Sequence, residues 1–127
     1  AGGAGGVMAA NVMFDLAPIE SSTMARDGLP LAFAEGVATL GLLVVIYGVV
    51  RSGRPAMAAF SVGGYIAGAY YFTSSTSFAN PAVTLSRTLS DTFAGIAPAS
   101  VPAFLVAQVV GALVAVATIS ILYPRSP

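Results

Sequence analysis

The chain contains no cysteine, no histidine and no lysine, and its charge is confined to five Arg and five Asp or Glu in 127 residues. Without cysteine there is no disulfide, no thiolate chemistry and no Cys-rich metal site. Without histidine the commonest metal ligand and the usual general base are gone. Balanced charge gives no reason to expect nucleic acid or an acidic substrate. No catalytic residue, metal site or cofactor is expected, and an enzyme suits these residues poorly. What is present is apolar: 57% of the residues are hydrophobic and the mean hydropathy is +0.88, which makes a lipid bilayer the solvent. The chain begins with Ala, with neither a start Met nor a signal-like charged stretch, and reads as a fragment.

Along the chain, residues 1–16 read as the end of a spanning helix whose small residues suit close helix contact. Asp15 to Pro30 carries most of the acidic residues with Pro and Gly, and is expected to be a water-exposed loop. Spanning helices are predicted over 31–50, 56–72 and 101–123, with Ser100 capping the last. Arg51 and Arg54 form a short basic turn, and Arg125 lies on the same side, which is therefore expected to be cytoplasmic. The loop at 17–30 and the stretch leading to Asn80 then lie outside. Tyr70, Tyr71 and Tyr123 suit interfacial anchoring.

Between the second and third of these spans stands Asn80-Pro81-Ala82. Asn is a strong helix N-cap, and Pro is favoured at the first helical position because its missing N–H would have had no partner there. The pattern stays helical over 81–94, with Leu85, Leu89 and Phe93 one turn apart, until Gly95 and Pro98 stop it. Such a helix covers roughly 21 Å at about 1.5 Å per residue, too little for about 30 Å of hydrocarbon. A short, polar-capped helix among spanning helices reads as a re-entrant element entering from the outer face, its N-terminus near mid-membrane, lining a polar path.

Ala34-Glu35-Gly36-Val37-Ala38-Thr39, Asn80-Pro81-Ala82 and Ala107-Gln108-Val109-Val110-Gly111-Ala112, in this order and spacing, resemble the C-terminal half of the aquaporin (major intrinsic protein) family. The resemblance implies an all-α membrane protein, half of an inverted-repeat channel fold. It implies that Asn80, Pro81 and Ala82 form the pore constriction, that Glu35 and Gln108 support the chain leading into it, and that complete members form homotetramers with one pore per subunit. An Arg follows this motif in most water-selective members; here the residue is Val83. Counting back places the other filter positions of this half at Gly68 and Ser77, implying a wider, less polar filter. The run from Ser77 to Arg87 is similar to bacterial members associated with arsenic resistance.

Each of these residues also has a plainer reading. Asn80 caps a helix with its oxygen, which leaves its NH₂ either facing solvent or donating to a permeating molecule. Glu35 near a helix start would be costly in lipid, by about 2.5 kcal/mol or more, so it faces protein or water. Gln108 needs a partner inside its span. Arg87 either brings a guanidinium to the outer mouth or pairs with Asp91 at i+4. Gly68 with Gly64 also fits simple helix packing. The expectation is a passive, multi-pass channel of the cell membrane for water or small neutral solutes such as polyols or neutral arsenite and antimonite. The alternatives are a non-conducting truncated protein or assembly partner, and more remotely a secondary transporter.

Overall fold

A computed structural model describes residues 1–124; Arg125, used above for orientation, lies outside the described residues. Five α-helices follow in order: α1 (Gly2–Met13), α2 (Leu29–Arg51), α3 (Ala58–Phe72), α4 (Pro81–Ser86) and α5 (Val101–Leu122). Short 3₁₀ turns at Pro55–Met57 and Pro98–Ser100 lead into α3 and α5, and another at Arg87–Leu89 continues α4. Among the described residues there is no strand.

α2 and α5, with 23 and 22 residues, run roughly 33–35 Å and match the hydrocarbon thickness. Only 17% and 22% of their most apolar stretches are buried, so their apolar surfaces face outward, unlike those of a core helix in a water-soluble protein. α3 is shorter than a span, at 15 residues. Its end is set at Thr73, whose N–H and Oγ1 both donate to the Ala69 carbonyl (3.0 and 2.6 Å) before the backbone turns extended.

The interior is polar. Among the described residues twelve polar or charged side chains are buried against nine hydrophobic ones, while Phe33, Phe60, Leu113 and Ile121 lie exposed. That inversion identifies the surrounding solvent as lipid. A small apolar cluster of Phe78, Ile96, Val101 and Phe104 sits at the end of the bundle where the loops meet, with Phe78 and Phe104 edge to face at 5.3 Å. The broadest contact joins α2 and α5. They cross where Gly36 meets Gly111, so closely that a Cβ on Gly111 would run into the Gly36 carbonyl.

Four expectations are corrected. The short helix does not reach Ala94; it ends at Leu89. The carbonyls of Arg87, Thr88 and Leu89, which would have accepted from residues 91–93, accept instead from the N–H groups of Ile96, Ser22 and Glu20 (3.3, 2.9 and 3.1 Å). Gly95, expected as a helix stop, is required because the Ser90 carbonyl and the Ser22 hydroxyl occupy the space a Cβ would need. The loop before α2 is not simply water-exposed: Ser22 and Arg26 are buried, and Ala97 N–H donates to the Met24 carbonyl at 2.7 Å. Two irregular segments satisfy each other's backbone groups. Ser100 does not cap α5 with its side chain; its hydroxyl donates to Asp27 Oδ1 (2.6 Å) and accepts from Arg26 N–H (3.0 Å).

Gly111→Leu should lower the thermal midpoint of the detergent-solubilised protein sharply. Overpacking costs about 1–3 kcal/mol even where side chains can yield, and the obstacle here is backbone. Gly68→Ala, where an added Cβ meets open space, should leave that midpoint unchanged.

Candidate functional site

The segment between α3 and α4 cannot be regular. Thr76, Ser77 and Ala79 all adopt left-handed backbone conformations (φ 61°, 49° and 48°), which cost L-residues about 1–2 kcal/mol each. What holds them is Glu35, fully buried in the second turn of α2. Its Oε2 accepts from Phe78 N–H at 3.2 Å. Its Oε1 accepts from Ala79 N–H and, at 2.8 Å, from Gln108 Nε2. An acceptor-only carboxylate thus meets three N–H donors.

The network continues to the cap. Gln108 Nε2 also donates to Thr84 Oγ1 (2.7 Å), and that hydroxyl donates to the Asn80 carbonyl (3.0 Å). Reversing the Gln108 amide would set its oxygen against the Glu35 carboxylate, so the network itself selects the orientation. Its own oxygen is then buried without a partner among the described residues. Asn80 Oδ1 accepts from Ala82 N–H at 2.8 Å and from Val83 N–H at 3.4 Å, and Pro81 occupies the first helical position. Asn80 is exposed, and its Nδ2 makes no hydrogen bond among the described residues. A donor is therefore left exposed at the positive end of α4.

The structure brings Glu35, Gln108 and Asn80 together through Thr84, which sequence reasoning missed. The available signal was a Thr one turn after the cap on a short helix. It separates the filter candidates. Gly68 is exposed on α3 with open space around it, as is Gly64. Ser77 is buried, its hydroxyl without a partner among the described residues. Val83 is half-buried at the edge of the Phe78 cluster.

Arg87 does not pair with Asp91, whose Oδ1 is held by Thr23 N–H (2.7 Å) and Oγ1 (3.0 Å). Arg87 instead donates from Nη2 to Tyr70 Oη at 2.8 Å and lies over the Phe78 ring, so Tyr70 is more than an interfacial anchor. Arg26, also missed, is buried against the same ring and donates to the carbonyls of Gly95, Ser75 and Phe93 (2.6, 3.0 and 2.7 Å). Burial first, and Arg87 second, hold Arg26 below the ordinary guanidinium value. A lone Arg in a loop offered no pattern that would have singled it out.

Removing the hydrogen-bonding character of single members should destabilise the site measurably. Glu35→Gln places an amide donor among three donors, and Thr84→Val breaks the bridge from Gln108 to Asn80. Each should cost roughly 1–3 kcal/mol, read as a lowered unfolding midpoint in detergent, and combining them should cost less than the sum because they share Gln108.

Over its whole length the chain is 44% identical, across 128 aligned residues, to Aquaglyceroporin AqpS of Rhizobium meliloti (strain 1021). The alignment takes in 54% of that protein, so the chain spans about half the length of the curated relative it matches. No family model matches the chain, and no solved structure matches it. The aquaporin resemblance is thus a homology extending over every residue of the chain, consistent with the C-terminal half of an aquaporin.

Proposed function

We propose that this chain, homologous over its full length to part of an aquaglyceroporin, supplies one half of a passive channel for water and small neutral solutes. The observation that carries this reading is Asn80. Its oxygen is spent on capping α4, its Nδ2 is left exposed, and its position is fixed by buried groups leading back to Glu35. A rigid donor at a helix N-terminus replaces part of a neutral molecule's hydration but opposes a cation, protons included. In this reading α4 is a re-entrant half-helix: the chain dips in from the outer face and α4 starts, at its Asn80 cap, near mid-membrane. Water, polyols and the neutral hydroxides of trivalent arsenic and antimony are the solutes of matching chemistry. The protein acts at the cell membrane, in a homotetramer with one pore per subunit.

Gly68, Ser77 and Val83 are the filter positions of this half. Open space at Gly68 and an aliphatic side chain at Val83 support a filter that admits solutes larger than water. A fixed guanidinium at position 83 would add bulk and a water-orienting donor together. Replacing the matched segment of the relative with this chain gives a chimera in which this is measured. Its reconstituted form should take up glycerol or arsenous acid, and Val83→Arg should reduce that uptake more than it reduces water permeability in stopped-flow swelling. Passage of water alone by the parent, or solute uptake indifferent to Val83→Arg, would remove Val83 from the filter.

Among the described residues Asn80 and the face around Gly68 are uncovered, and in this reading one copy of the chain does not enclose a path. Liposomes containing this chain alone should show no flux above lipid background. Co-reconstitution with the remaining half of the relative should raise it. Strong flux from the chain alone would mean that copies of it build the wall between them.

A further inference from the structure

Two cations meet over one aromatic ring. The Cζ atoms of Arg26 and Arg87 lie 4.8 and 4.3 Å from the centroid of Phe78. Among the described residues no carboxylate bridges them. Asp91 is engaged by Thr23, Asp27 by the Ser100 hydroxyl, and Glu35 by Phe78 N–H, Ala79 N–H and Gln108. Like charges this close in a largely buried setting repel, and the negative face of the ring takes the place a counter-ion would fill.

The two guanidiniums are held differently. Arg26 spends Nε, Nη1 and Nη2 on three backbone carbonyls and cannot turn. Arg87 has one hydrogen bond, to Tyr70, and its buried Nη1 has no acceptor among the described residues. The Cα of Arg87 lies about 10 Å along the helix axis from that of Asn80. Its side chain runs back toward the helix start, as helical side chains do, and reaches Phe78, two residues before the cap. The positive charge is thereby carried from the far end of α4 to the loop that presents Asn80. Arg87 is also the one charged side chain, among the described residues, on a groove of about 530 Å³ between α1 and the segment 87–94.

We infer that Arg26 is a positioning residue for selectivity. By locking the carbonyls of residues 75, 93 and 95 and one cationic contact to Phe78, it fixes Arg87 beside the cap loop, where Arg87 is the cation-excluding charge that position 83 lacks. The inference rests on the channel reading above. Arg87 acts on the permeating species through its charge; Arg26 acts through Phe78 and the loop carbonyls.

The test uses the chimera in liposomes, with water swelling, glycerol uptake and potassium leak measured on each preparation. Arg87→Gln should raise the ratio of potassium leak to glycerol uptake roughly tenfold, through loss of a fixed charge that repels a permeating cation. Arg26→Gln should raise the same ratio comparably, and the double variant should be no leakier than either single one. Phe78→Leu, which keeps an apolar side chain without a π face, should reproduce the leak, and Arg26→Lys should recover part of the selectivity. A ratio that stays at the parental value in Arg26→Gln overturns the inference. So does a loss of water, glycerol and potassium flux in equal proportion, which is what a purely structural role would give. If Arg26→Gln fails to accumulate in the membrane, Phe78→Leu decides: a parental ratio there overturns the inference as well. Failure of the channel reading looks different, since the parent chimera would then pass neither water nor glycerol.

Discussion

A carboxylate buried among N–H donors holds the rest of this structure in place. Glu35 sits in a helix whose surroundings are otherwise apolar, where an unpaired charge would be expelled or neutralised. Its three acceptor contacts, to the N–H groups of Phe78 and Ala79 and to Gln108, make the charge tolerable and make the loop possible. Backbone N–H groups of an irregular segment inside a membrane protein have no water and no ladder to satisfy them. The left-handed run at Thr76, Ser77 and Ala79 turns two of those N–H groups toward one carboxylate. The strain of that run and the desolvation of the carboxylate are offset by the same hydrogen bonds.

From that anchor the order is transmitted to one exposed donor. Gln108 spends both amide hydrogens, one on Glu35 and one on Thr84, and Thr84 spends its hydrogen on the Asn80 carbonyl. Asn80 then has its carbonyl and side-chain oxygen committed while Nδ2 is left over. A donor whose neighbours are fixed by buried hydrogen bonds is rigid, unlike one on a flexible polar loop. Near that donor two guanidiniums rest against the Phe78 ring.

The distribution of polar residues follows the same logic on a larger scale. Helices α2 and α5 close on each other through Gly36 and Gly111, because in lipid close packing rather than hydrophobic exclusion brings helices together. Their aliphatic side chains turn outward, and the buried space at the loop end is filled by Ser, Thr, Asn, Gln, Glu and Arg; among the described residues Thr76 Oγ1, Ser77 Oγ, Arg87 Nη1 and Gln108 Oε1 are buried without a partner. The segment before α2 crosses residues 87–100 and supplies N–H groups and the Arg26 side chain to carbonyls there. Loops that would be mobile separately become one ordered layer over the end of the bundle.

Hydropathy and local chemistry determined, from the sequence alone, the solvent, the order of the helices and the cap at Asn80-Pro81. Each depends on residues adjacent in the chain or one helical turn apart. Glu35 and Gln108 were legible as buried polar residues in need of partners, and the aquaporin resemblance said which ones. Tertiary structure alone decided the length of α4, the burial of Arg26, the part played by Thr84 and the choice of Tyr70 over Asp91 as partner of Arg87. In each case a group had two suitors, one local and one distant. The carbonyls of residues 87–89 could continue a helix or accept from the loop before α2, and the loop prevailed because its own N–H groups had nowhere else to go. Periodicity records the local option; which one wins depends on segments far apart in sequence whose unmet hydrogen bonds have to be satisfied together.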